Sequence, residues 1–282
     1  MTETRKAQDR LDVLRRIDEY ERKGLFSDDV EDDPPTVPLE ADQVDYLGEK
    51  LSSRIMTALV NCYGKRFING LIRSRRLIIK EVRGIGNFTA LGGSGAVITC
   101  NHFNAYDNFA VYKAIEKQLG RRRLYKVIRE GNYTSFPGVY GLFFRHCNTL
   151  PLSSRSSTMR KFMSSVDILL RRGEKILVYA EQGMWWNYRK PRPLTNGAFR
   201  FAASAGVLVI PFFITMEDSG ITGEDGFPVQ EYTVHILEPI FPDPALSCRE
   251  NTDEMKRRNY TAWKDVYEKT YGIPLVYSTE GD

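Results

Sequence analysis

Thr99-Cys100-Asn101-His102-Phe103-Asn104-Ala105-Tyr106-Asp107 sets one of only three histidines in the chain five residues ahead of an aspartate. An imidazole has an unperturbed pKa of about 6.5, so near pH 7 it is available as a neutral base. A carboxylate on its far ring nitrogen would fix the tautomer and stabilise the imidazolium once a proton is taken. Such a pair suits drawing a proton from a hydroxyl nucleophile. The same residues admit a second reading, in which Asn104 or Asp107 caps a helix and His102 packs beside it.

The flanking residues say what must position this pair. Ala96 to Cys100 is an apolar run with β-branched members, which reads as a buried strand. Phe109, Ala110, Tyr112, Ala114, Ile115 and Leu119, closed by Gly120, read as a helix over about 107–119. His102 and Asp107 therefore fall in a strand-to-helix turn, where chemistry is commonly carried.

The chain has 282 residues, 42% of them hydrophobic, enough for one large domain with an added N-terminal piece. Its four cysteines, Cys62, Cys100, Cys147 and Cys248, have no metal-ligand spacing, and a reduced cytoplasmic setting fits them better than a disulfide framework. The opening residues are charged, with no signal-peptide pattern. The longest apolar stretch, Phe201 to Met216, is broken by Ser204, Gly206 and Pro211 and reads as a helix end, a turn and a strand, so no spanning helix is expected.

Charge is unevenly laid out. Residues 1–48 hold fourteen acidic and seven basic side chains, whereas residues 50–80 hold eight basic and no acidic ones. The first segment reads as a charged helix followed by a solvated acidic linker, Ser27 to Pro35. In the second, apolar residues recur from Ile55 to Ile72 at steps of one, three or four, one face of a helix that Gly64 and Gly70 would divide into a hairpin. An apolar face with a basic surround suits an anionic membrane surface; it equally describes a hairpin packed on the core.

Beyond Lys80, expected strands at Leu77–Val82, Ala96–Cys100, Leu124–Ile128, Thr149–Leu152, Ile176–Ala180, Val207–Ile214 and Tyr232–Ile236 alternate with helices near 107–119, 156–172, 196–205 and 252–270. The expected fold class is α/β: a mixed, mainly parallel sheet flanked by helices, preceded by an N-terminal helical hairpin. The expected organisation is a charged helix and linker over 1–48, a basic amphipathic segment over 49–76 and the α/β domain over 77–282. Gly84-Ile85-Gly86 and Leu91-Gly92-Gly93-Ser94-Gly95 lack the remaining residues of a dinucleotide loop, a P-loop or a hydrolase elbow and read as turns. Arg121-Arg122-Arg123 stands without a nucleic-acid-binding module, and no nucleic-acid partner is expected.

Three further stretches follow in order: the block from Gly138 to Ser157, the strand and loop ending in Glu181-Gln182-Gly183-Met184, and Ile210-Pro211. With the His102 block they resemble the lysophospholipid acyltransferase family, which includes the 1-acylglycerol-3-phosphate acyltransferases, over about residues 80–240. The resemblance implies that His102 deprotonates an acceptor hydroxyl, with Asp107 orienting it, and that the hydroxyl attacks the acyl carbonyl of acyl-CoA or acyl carrier protein. It implies no other cofactor. It puts Glu181, Gln182 and Gly183 at the acceptor site.

The third block departs from the family's Glu-Gly-Thr-Arg. Its glycine, threonine and arginine are Gln182, Gly183 and Met184 here. The arginine helps hold the acceptor phosphate, so that task would fall to Arg155, one position off the register of the second block, or to Arg189 with Lys190 and Arg192; a solvated turn explains the last three equally well. Trp185 and Trp186 read as pocket lining, interface anchors or core. The resemblance favours membrane docking by residues 50–80 and a cytoplasmic protein peripheral to the inner membrane face. The expected acceptor is a lysophospholipid, most simply 1-acylglycerol-3-phosphate. The alternatives are a glycolipid or aminoacyl lipid acceptor, and a non-catalytic lipid-binding module.

Overall fold

Seven apolar runs become seven strands: β1 (Ile78–Arg83), β2 (Ala96–Thr99), β3 (Leu124–Ile128), β4 (Thr149–Pro151), β5 (Lys175–Val178), β6 (Leu208–Thr222) and β7 (Pro228–Ile236). They come from a computed structural model that describes residues 3–32 and 35–279. The strands form one sheet in the order β1-β7-β6-β2-β5-β3-β4. Every neighbouring pair is parallel except β6 with β7.

β2 lies in the middle, Ala96 opposite Lys175 on one side and Leu208 on the other. All four of its residues are fully buried, as a strand covered on both faces requires. Alternation then sorts the side chains. Ala96 and Ile98 join a core with Leu177, Ile210, Val111 and Ile68. Val97 joins the opposite core with Ile176, Val209, Phe162 and Phe199. The first core lies under the helices α2 (Leu51–Arg73) and α4 (Asp107–Ile115), the second under α7 (Ser156–Arg171) and α8 (Gly197–Ala205). The chain leaves β2 toward β3 and β4, returns through β5 and crosses to β6, so a crevice opens at the carboxyl end of β2, where ligands bind in such sheets.

The remaining helices are α1 (Glu3–Arg22), α3 (Ile85–Thr89), α5 (Glu130–Thr134), α6 (Gly138–His146) and α9 (Cys248–Tyr271). α9 begins four residues before the expected 252, because Ser247 and Glu250 form a capping box that satisfies two terminal N–H groups. β6 and β7 run past their expected ends as a hairpin whose turn is pinned to α1 by Lys6–Glu224 and Arg10–Asp225 pairs. Leu91-Gly92-Gly93 is a turn as expected, but Gly84-Ile85-Gly86 is not: Gly84 is the N-cap of α3, and Ile85 and Gly86 are its first residues. A side chain at Gly84 would meet the Ile236 carbonyl at 2.1 Å, and one at Gly95 the Leu170 carbonyl at 1.9 Å.

Two expectations about the N-terminal region change. Residues Leu51–Arg73 form one unbroken helix and not a hairpin; Gly64 does not interrupt it but sits at its closest approach to Phe143 and Cys147. The acidic linker is packed, not solvated. Val30 is fully buried beside Val13, Ile17, Trp185 and Trp186, and Asp28 and Asp29 lie against Gly183. Asp33 and Pro34 of that linker lie outside the described residues. Trp185 and Trp186 are thus core residues.

Candidate active site

The turn after β2 is held from both sides. Asn101 donates to the Ile214 carbonyl at 3.0 Å and accepts from the Ile214 N–H at 2.8 Å, which ties the end of β2 to β6. Asp107, the first residue of α4, is fully buried. Its Oδ2 accepts from His102 Nδ1 at 2.7 Å and from the backbone N–H groups of Phe103 at 3.1 Å and Asn104 at 3.3 Å. One carboxylate therefore both folds the turn and fixes the imidazole; the capping reading fails, because the N-cap position of α4 is Tyr106 and no side chain caps the helix there. With Nδ1 donating to Asp107, Nε2 is the basic nitrogen; it makes no hydrogen bond among the described residues.

Tyr179, just past β5, completes this cluster. Its hydroxyl donates to Asp107 Oδ1 at 2.5 Å, and its ring stacks on His102 with centroids 3.8 Å apart and planes 16° from parallel. Burial and the neighbouring Asp107 push the phenol well above its ordinary range, so it stays a protonated donor.

Glu181 holds the same turn from the other side. Its Oε2 accepts from the His102 N–H at 3.0 Å and from Arg192 Nη2 at 3.1 Å, and its Oε1 accepts from the Arg192 N–H at 2.8 Å. Arg192 is only 1% exposed. It donates also to the carbonyls of His102, Gly183 and Phe26 and lies over the Trp185 ring. Burial lowers the guanidinium from its ordinary value while Glu181 opposes that shift, which is the balance of a buried ion pair.

His102 opens on a cavity of about 980 Å³, at the upper end of the range usual for ligand pockets. Its walls are apolar in the main: Ile68 of α2, Phe109 of α4, Tyr140, Phe143 and Phe144 of α6, and Leu124 of β3. Polar groups line it too, among them Lys126, Arg129, Asn132 and Gln182. Burial pushes the Lys126 ammonium below its usual range. Arg129 pairs with Asp29 of the acidic linker. Cys100 is buried, and burial drives its thiol upward, away from nucleophilic reactivity.

The residues singled out in the sequence are distributed as follows. His102 and Asp107 are hydrogen-bonded at the cavity, and Gln182, in a left-handed backbone conformation at φ 69°, lines it beside Met184. Glu181 and Gly183 are outside the lining: Glu181 is buried in the ion pair and Gly183 faces Asp28 and Asp29. Arg155 caps α7 on the surface, paired with Glu40 at 3.2 Å, and Arg189 pairs with Asp218 at 2.7 Å; neither lines the cavity. Lys190 pairs with Glu21 at 2.6 Å. In the turn 189–192 each cation meets a carboxylate, Arg189 at the exposed surface, Lys190 half-buried and Arg192 buried. Sequence reading passed over Tyr179, Lys126 and Arg129. A lysine within the apolar run Leu-Tyr-Lys-Val-Ile, and a tyrosine on the same strand face as Leu177, were the available signals.

Comparison with known proteins agrees with this architecture. The family model described as Acyltransferase matches residues 79–215, from β1 into β6, and takes in all four sequence blocks. The matched segment spans the strands and helices that carry the His102–Asp107 pair. Among solved structures, the fold is similar to that of the 1-acyl-sn-glycerophosphate (LPA) acyltransferase PlsC from Thermotoga maritima. The TM-score is 0.52 at 17% identity, covering 82% of this chain and 87% of that one. No curated protein matches the chain significantly. Among the described residues no helix is long and apolar enough to cross a membrane.

Proposed function

We propose that the protein transfers a fatty acyl group from acyl-CoA or acyl carrier protein to the hydroxyl of a lysophospholipid, 1-acylglycerol-3-phosphate being the simplest acceptor. The observation that carries this reading is a carboxylate-oriented imidazole, its Nε2 unengaged among the described residues, opening on a large and mainly apolar cavity. His102 Nε2 takes the acceptor proton as the oxygen attacks the thioester carbonyl. Asp107 stabilises the imidazolium. When the tetrahedral intermediate collapses, the C–S bond breaks and the imidazolium returns the proton to the leaving thiolate. Base catalysis of this kind contributes typically 10²–10⁴-fold, and no cofactor beyond the acyl donor is required.

The acceptor phosphate needs a cation, and the family arginine is Met184 here. Lys126 and Arg129 line the cavity whereas Arg155 and Arg189 do not, so the first two are the better placed ligands, Arg129 dividing its donors between the phosphate and Asp29. The apolar Met184 in the cavity wall favours a second reading, in which the same chemistry serves a glycolipid or aminoacyl lipid with a weaker anionic group.

Access to a lipid substrate would come through α2. Its inner face buries Val60, Gly64, Ile68 and Leu71, while Leu51, Ile55, Met56, Leu59 and Tyr63 are exposed on its outer side among basic residues. Such an outward apolar stripe suits peripheral docking on an anionic bilayer at the inner membrane face.

His102→Ala should abolish turnover with an unchanged melting temperature. Retention of more than a tenth of wild-type acyl transfer would refute the base assignment. A panel of acceptors with one labelled acyl donor separates the two acceptor readings, and absence of transfer to all of them with either donor would leave a lipid-binding module.

A further inference from the structure

We propose that Tyr179 is a positioning residue of the catalytic base: its hydroxyl holds the second oxygen of Asp107 and its ring holds the plane of His102. This deepens the base-catalysis reading above and rests on it. Asp107 is fully buried, and both its oxygens are occupied: Oδ2 by His102 and two backbone N–H groups, Oδ1 by Tyr179 alone. A buried carboxylate oxygen left without a donor is costly, and the Tyr179 hydroxyl supplies that donor and holds the carboxylate in this orientation. The stacked ring closes one face of the imidazole, which leaves Nε2 directed at the cavity that Tyr179 also lines.

The same bond bears on the base through Asp107. A donor on Oδ1 draws negative charge away from the oxygen facing Nδ1, so Asp107 stabilises the imidazolium less than a carboxylate with an undonated Oδ1 would. Other titratable or charged groups around the pair are Glu181 and Arg192 in the following loop, Cys100 at the end of β2, Tyr106 before α4 and Tyr232 of β7. Burial and Asp107 push Cys100, Tyr179 and Tyr232 upward, and they stay neutral across the working range. Glu181 and Arg192 offset each other's charge. The Tyr179 hydroxyl is then the contact whose removal changes the base without adding or removing a charge.

Tyr179→Phe keeps the stack and deletes the hydroxyl. His102 should then hold its proton to higher pH. The acid limb of kcat/KM should move up by about 0.5–1 unit, with kcat about 3–30-fold lower at pH 7. Tyr179→Leu removes the stack as well, and should lower kcat further with a limb shift of the same sign. A tyrosine that only fills space would alter melting temperature and not the limb. The titration can also be read without turnover, from the ring proton of His102 by NMR; with three histidines in the chain, His102→Gln assigns the signal. An NMR titration in Tyr179→Phe that stays within about 0.2 unit of wild type, or moves to lower pH, overturns the proposal. Should His102→Ala retain turnover while the NMR shift appears, the base-catalysis reading fails and the Tyr179–Asp107–His102 coupling stands.

Discussion

Glu181→Gln is close to isosteric with the native residue and removes one charge from a buried pair. Three donors meet the native carboxylate: the His102 N–H, the Arg192 N–H and the Arg192 guanidinium. An amide has one acceptor oxygen. Whichever way it is turned, its NH2 faces at least one of those donors, and Arg192, 1% exposed, loses its counter-charge. Breaking a buried pair from one side costs about 3–5 kcal/mol. At about 2–4 °C per kcal/mol for a chain of this size, the melting temperature should fall by roughly 6–20 °C. Turnover should fall with it, because the His102 N–H loses the acceptor that fixes the catalytic turn. The double variant Glu181→Leu/Arg192→Met removes both charges of this buried pair, so it should melt at or above Glu181→Gln and still be impaired in turnover. Thermal melts with acyl-transfer rates on wild type, single and double variants decide it. A Glu181→Gln protein that melts within about 2 °C of wild type and retains more than half its turnover would show that Glu181 does not hold this turn.

Exposed apolar residues on α2 should matter for membranes and little for folding. Replacing Leu51, Ile55 and Leu59 by serine should lower partitioning onto anionic vesicles by roughly 100-fold or more, read by co-sedimentation, while melting temperature moves little because all three are exposed; unchanged co-sedimentation would remove α2 from the docking surface. His235 gives a stability prediction with a definite sign. Burial, then Arg83, push its imidazole down to about 4, below the ordinary 6.5. The unfolded chain therefore binds the proton first, and stability should fall as pH drops from 6.5 toward 4, by roughly 1–3 kcal/mol in total. Melts across that window should show wild type losing stability relative to His235→Gln as pH falls; parallel profiles would refute it.

The sheet was legible because its strands are runs of β-branched and apolar residues bounded by turns. All seven appear within a few residues of their expected positions, apart from the extended hairpin of β6 and β7, whose outer pairing continues under polar residues such as Glu217 and Asp218. Helices α3 and α5 are five residues long, too short for a 3.6-residue period to register, and glycines break the pattern of α6. The His102–Asp107 pair was legible because five residues of local chain bring it together. Tyr179 reaches Asp107 across 72 positions, and only the parallel alignment of β2 with β5 puts them in contact. Arg155 and Arg189 stand away from the cavity for one reason: proximity in sequence to a family block says nothing about which face of the loop a side chain takes, and both face outward to carboxylates.

The loop 181–192 departs from its family pattern, and the N-terminal segment is what braces it. Gly183 lets Asp28 and Asp29 approach so closely that an added Cβ would stand 2.9 Å from Asp29 Oδ1. Trp185 donates to the Asp28 carbonyl at 2.9 Å, and Trp186 is enclosed by Val13 and Ile17 of α1 with Arg10 over its ring. Arg192 reaches past the loop to the Phe26 carbonyl. Tyr188 and Lys190 both end on Glu21, which also accepts from Ser278 near the far end of the chain. Three segments remote in sequence thus converge on one loop, and that loop carries the acceptor for the His102 N–H. Residues of the first thirty-two therefore act on the catalytic turn through packing, at one remove from any substrate. Removing α1 would strip Val13 and Ile17 from Trp186 and leave Lys190 and Tyr188 without Glu21, so its loss should reach His102 as surely as a substitution at Glu181.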